Sequence, residues 1–131
     1  MLKNRKKLAF LLVCLSLLAL VITPAFADRQ KAVDLHNKGV AVQSTDSLKA
    51  FKFFESAVNA DPTYSVAHAS LADWYCEYQR YDEAVKQYSL ALQYDPSNSK
   101  YKLRIGEIYF QKGDYKATEK YFSKNEKLAK K

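Results

Sequence analysis

The feature that most constrains the fold of this chain is a sequence that repeats itself every 34 residues. Asp61-Pro62 returns as Asp95-Pro96. Ala50, Phe54 and Ala57 return as Ala84, Tyr88 and Ala91, and less faithfully as Thr118, Phe122 and Asn125. Leu71, Ala72 and Tyr75 return as Ile105, Gly106 and Tyr109, and Tyr81 as Tyr115. A unit of this length is one supersecondary element that cannot bury its apolar face alone, so stacking of neighbours must supply the core. With only three glycines and three prolines, and no period-two alternation, that element reads as a pair of helices joined by a short turn.

Three such hairpins give six expected helices, at roughly 29–43, 47–60, 63–78, 82–94, 98–111 and 114–129. Asp-Pro closes the second helix of a hairpin, because proline has no N–H for the ladder and disfavours helical dihedrals in the residue before it. Asp114, directly after Gly113, is the expected N-cap of the last helix. Small residues at Gly39, Ala72 and Gly106 let the two helices of a hairpin approach, while aromatic side chains fill the space beside them.

These residues resemble the tetratricopeptide repeat (TPR), whose first helix carries a large residue, Leu-Gly and an aromatic, and whose second carries Ala, an aromatic and a closing proline. The second repeat matches through His68, Leu71, Ala72, Tyr75, Ala84, Tyr88, Ala91 and Pro96. Ile105, Gly106, Tyr109, Gly113-Asp114-Tyr115 and Phe122 carry the third; Leu35, Gly39, Ala50, Phe54, Ala57 and Pro62 carry the first. Gly39 to Ala50 is one residue shorter than the family spacing, so a distorted turn is expected near Ser44 to Ser47. The resemblance implies an all-α fold, three hairpins at about 29–62, 63–96 and 97–131 stacked as a short right-handed α-solenoid. It is specific for fold and not for function.

Residues 1–27 read differently. Lys3, Arg5, Lys6 and Lys7 precede an apolar run from Leu8 to Ile22, then Thr23-Pro24-Ala25-Phe26-Ala27. This order is that of a secretory signal peptide, with cleavage expected between Ala27 and Asp28 and an extracytoplasmic, bacterial periplasmic or secreted, destination. The run would span about 22 Å as a helix, short of a bilayer core of about 30 Å. An uncleaved N-terminal anchor is the alternative; a lipoprotein reading through Cys14 is weaker, since Val13 stands where such signals carry a small residue.

Cleavage also changes the charge. The leader holds four of the 21 basic residues and none of the 14 acidic ones, leaving 17 minus 14, or +3. The inference from a pI near 9.3 to nucleic acid therefore falls away. The remainder is uneven: residues 28–98 hold seven basic and ten acidic groups, net −3, and residues 99–131 hold ten and four, net +6.

Chemistry-bearing residues are few. Catalysis needs convergent groups, and beyond the leader there are two histidines, His36 and His68, one cysteine, Cys76, and no glycine-rich phosphate loop or nucleophile elbow. Both histidines are expected as satisfied structural residues, Cys76 as a half-buried apolar side chain or a thiol for another chain. Tyr75, Tyr81, Tyr88, Tyr109, Tyr115 and Tyr121 fall at repeat positions, so core packing accounts for them before base or sugar stacking. No enzyme activity, cofactor, metal or nucleic acid is expected.

In the TPR family the first helices of successive repeats line a concave groove. The resemblance implies a groove face of Val66, Ala69, Ser70, Asp73, Cys76 and Glu77 from the second repeat, and of Lys100, Leu103, Arg104, Glu107, Phe110 and Gln111 from the third. One subclass grips a peptide carboxylate there, and Lys100 and Arg104 match the Lys and Arg of its third repeat. His36, Val40 and Ser70 depart from its other three positions. The competing expectation pairs Lys100 and Arg104 with Asp73 and Glu77.

The expected function is thus an exported adaptor that binds a protein or peptide segment in its groove. The runner-up is a peripheral protein that sets its basic third repeat on anionic lipid or envelope polymer. Lys116, Lys120, Lys124, Lys127 and Lys131 form a stripe on the last helix, read as a solvated cap or as that contact.

Overall fold

The computed structural model describes residues 28–129 together with 7, 9 and 10, and side chains up to residue 122. The leader and its cleavage site lie outside the described residues except at those three positions, as do the side chains of Lys124, Lys127 and Lys131. Six helices run through 28–129: α1 over 28–42, α2 Ser47–Ala60, α3 Ser65–Glu77, α4 Tyr81–Tyr94, α5 Ser99–Gln111 and α6 Tyr115–Ala129. The architecture is an all-α helical repeat, with α2 through α6 each packed on the next. Among the described residues no helix is long and apolar enough to cross a membrane.

The helix ends lie where the sequence chemistry puts them. Asp61 and Asp95, the residues before proline, cap α2 and α4 in non-helical backbone while their N–H groups still reach Ala57 and Ala91. Their carboxylates then organise the next turn: Asp61 accepts from the Thr63 N–H at 2.9 Å, Asp95 from the Ser97 hydroxyl at 2.8 Å. Helix starts are capped by side chains at Asp46, Asn98 and Asp114, which accept from the N–H groups of Lys49, Lys100 and Ala117.

The turns inside the hairpins show what the missing residue does. In the second and third, Gln79 and Gly113 adopt positive φ, and the chain closes through Arg80 N–H to Tyr75 O and Asp114 N–H to Tyr109 O, five residues back. In the first, Asp46 N–H reaches Val42 O, four residues back, with no left-handed residue among those described. The shorter loop thus uses a tighter closure.

The core follows the repeat. Ala50 and Ala84 are fully buried, as are Phe54 and, nearly, Tyr88, with Leu71 and Ile105 packed beside them. At the last repeat the pattern loosens: Phe122 is 38% exposed and Tyr115 67% exposed, against a partly buried Tyr81. The expectation that Tyr115 packs in the core is corrected here; it stands at the first position of α6 and rests edge-on against Phe110, which is itself exposed and gives it no buried surface to pack on.

The histidines differ from one another. His68 is bonded at both ring nitrogens, to Gln87 Oε1 at 2.8 Å and Pro62 O at 2.9 Å. His36, expected to be equally satisfied, is bonded only at Nε2, 2.9 Å from Ser70 Oγ, and its buried Nδ1 has no partner among the described residues. Packing decides this: the ring is held between Phe54 and Tyr64, which offer Nδ1 nothing to bond.

Candidate partner-binding groove

Helices α3 and α5 are both first helices of their hairpins, and side chains one turn apart on each face a common cleft of about 340 Å³. Asp73, Cys76 and Glu77 come from α3, Arg104, Glu107, Ile108 and Gln111 from α5, Gln43 from the turn after α1 and Tyr88 from α4. A second cleft of about 240 Å³ adjoins it, sharing Glu107 and Gln111 and extending to Phe110 and Phe122.

Of the residues the resemblance assigned to the groove, Asp73, Cys76, Glu77, Arg104, Glu107 and Gln111 meet in the first cleft and Phe110 in the second. Val66 and Leu103 are exposed but line neither. Ser70 is tied to His36 and joins α1 to α3. Lys100 is exposed and lines neither cleft. Gln43, Tyr88 and Ile108 are additions. Gln43 was within reach of sequence reading, since it stands as far before Cys76 as Gly39 stands before Ala72. Tyr88 was assigned wholly to the core, yet its hydroxyl emerges on the cleft floor.

One hydrogen-bond chain organises the cleft. The Tyr88 hydroxyl donates to Asp73 Oδ1 at 2.6 Å, and Arg104 Nη2 donates to the same oxygen at 3.1 Å. Arg104 Nη1 donates to Glu107 Oε2 at 3.0 Å. The cross-helix pairing expected with Asp73 is present, whereas the partner expected in Glu77 is replaced by Glu107 on the same helix, one turn on. Lys100 forms no ion pair among the described residues.

This arrangement shifts its members' proton affinities. The Glu107 hydrogen bond, followed by Tyr88 and Asp73, holds the Arg104 guanidinium more firmly protonated than usual. Burial, then the Asp73 hydrogen bond, raises the Tyr88 phenol well above its ordinary value. Burial, reinforced by Asp73, Glu107 and Glu77 against the opposing Arg104, pushes the Cys76 thiol up to about 11. Cys76 is accordingly a poor nucleophile in this setting.

Family models confirm what the repeat geometry shows. One described as TPR repeat matches residues 72–113, and one described as Tetratricopeptide repeat matches residues 99–131. The chain is a tetratricopeptide-repeat protein. Solved structures agree with this TPR fold. The second TPR of Spaghetti (RPAP3), bound to the HSP90 peptide SRMEEVD, is 23% identical with a TM-score of 0.67, over 74% of this chain and 91% of that one. The OM64 TPR domain of Arabidopsis is 21% identical with a TM-score of 0.67, over 73% and 80%. MamA is 26% identical with a TM-score of 0.69, over 76% of this TPR chain but 57% of its own. No curated protein matches the chain in sequence.

Proposed function

We propose that this TPR protein is an exported adaptor that holds a segment of another protein in the groove formed by the first helices of its hairpins, with no chemistry of its own. The observation that carries this reading is the cleft between α3 and α5, adjoined by a second between α5 and α6, into which side chains such as Glu77 and Phe110 project that are exposed and that internal packing does not require. Support comes from the RPAP3 domain, a similar fold bound to a peptide. Export rests on the order of charged, apolar and small residues in 1–27.

Two measurements test the proposal. Mass spectrometry of the protein from its native host should give Asp28 as the first residue; a mass retaining 1–27 would leave the anchored alternative. For the groove, Phe110→Glu should abolish peptide binding while circular dichroism stays unchanged, because Phe110 is exposed and lines the second cleft.

The net +6 of residues 99–131 keeps one second reading in view, a contact with anionic lipid or polymer. Salt-sensitive binding to anionic vesicles, lost on changing Lys116 and Lys120 to Glu but indifferent to Phe110→Glu, would select it.

A further inference from the structure

The cleft that the adaptor reading assigns to a partner has a definite electrical sign. Its charged lining is Asp73, Glu77, Glu107 and Arg104, three anions against one cation, net −2. The one cation is already engaged on both sides, by Asp73 Oδ1 at 3.1 Å and by Glu107 Oε2 at 3.0 Å. An incoming carboxylate would have to displace one of these and then lie among like charges, which the reduced dielectric of a cleft makes costly. Lys100, the second cation that sequence spacing places beside Arg104, lines neither cleft. Glu77 is exposed and makes no ion pair among the described residues.

Other occupants fit less well. Among the described residues no three His, Cys, Asp or Glu side chains are grouped so that they could hold a metal ion. A purely apolar segment would leave Glu77 desolvated and unpaired. Along the adjoining cleft, Phe110 and Phe122 offer apolar contact next to Glu107 and Gln111.

Resting on the adaptor reading, we propose that the segment held in this groove is cationic: a stretch of another protein whose lysine or arginine side chains pair with Glu77 and Glu107, followed by an apolar side chain against Phe110.

The test selects short random peptides on the purified protein and measures the best of them, amidated at its C-terminus, by fluorescence anisotropy. Selected peptides should carry Lys or Arg, and the double change Glu77→Gln and Glu107→Gln should weaken them about tenfold or more. Each single change should give part of that loss, and thermal melts of all variants should match wild type. Selection of Asp- or Glu-bearing peptides that need Arg104 would overturn the charge assignment and leave the groove reading standing. Peptides indifferent both to these changes and to Phe110→Glu, or no selected peptide at all, would remove the groove reading and this inference with it.

Discussion

The Tyr88 hydroxyl donates to Oδ1 of Asp73 at 2.6 Å, a bond from a core aromatic of α4 to a carboxylate on the cleft-lining face of α3. The repeat demands an aromatic at position 88 for packing, as it demands Phe54 in the first hairpin, but only a tyrosine reaches the groove. Tyr88→Phe should keep the packing and lose the bond to a charged acceptor, costing about 1–2 kcal/mol in urea denaturation. A change below about 0.3 kcal/mol would mean that water replaces the hydroxyl without loss.

Arg104→Ala separates two accounts of the groove. If Arg104 holds a partner carboxylate, its loss should weaken binding about ten- to a hundredfold. In the present account it removes a positive charge from a cleft that binds cations, so a Lys-bearing peptide should bind equally well or up to about tenfold more tightly at low salt. Stability should change by less than about 1 kcal/mol, because the ion pairs of Arg104 are about half exposed. Isothermal titration at two salt concentrations reads both quantities.

Gly39 and Gly106 occupy equivalent positions but should differ in tolerance. A Cβ on Gly39 would lie 2.5 Å from Cε1 of the fully buried Phe54, so Gly39→Ala should destabilise by about 1–3 kcal/mol. At Gly106 the nearest atom is 3.0 Å away, on the ring of Phe122, which is partly exposed and can yield. Gly106→Ala should be neutral or stabilising by up to about 1 kcal/mol through helix propensity, whereas Gly106→Leu should cost at least about 2 kcal/mol. Equal midpoints for the two alanine variants would contradict the packing described.

The repeat made the fold legible. Small and aromatic matches at one offset set six helices whose ends fall within about two residues of those observed, because caps and prolines act locally. The groove was legible only in part. Repeat register places Asp73, Glu77, Arg104 and Glu107 on one face, but not which of them bond to one another. Arg104 chose Glu107 over Glu77 because a neighbour one turn along the same helix is always within reach, whereas a cross-helix partner depends on the helix crossing. The orphan Nδ1 of His36 was equally out of reach, being set by the ring of Phe54 on α2 and that of Tyr64 in the turn before α3.

His36 makes stability depend on pH. Burial lowers its folded proton affinity, while the unfolded residue titrates near its ordinary value of about 6.5. Between the two the unfolded chain binds more protons, so stability is fully present above about pH 6.5 and is lost as pH falls through the lower folded value. Denaturation midpoints between about pH 7.5 and 5 should show this decline, and His36→Gln should flatten it. An unchanged slope in that variant would place the effect elsewhere.

Cys76 should resist alkylation. A thiol pushed up to about 11 presents about a hundredfold less thiolate at neutral pH than an ordinary cysteine, and should react with iodoacetamide more slowly in proportion. Peptide mass spectrometry of the native and urea-unfolded protein gives the ratio, and comparable rates would contradict the environment assigned to Cys76.

The claim that a partner segment lies between α3 and α5 is tested most directly by amide NMR of the isotope-labelled protein titrated with the selected Lys-bearing peptide. The account predicts that shifts concentrate at Asp73, Cys76, Glu77, Glu107 and Gln111, saturate with one peptide per chain, and leave Lys86 and Ser89 on α4 unmoved. Shifts confined to α6 around Lys116 and Lys120, with the α3 and α5 resonances unchanged, would contradict it.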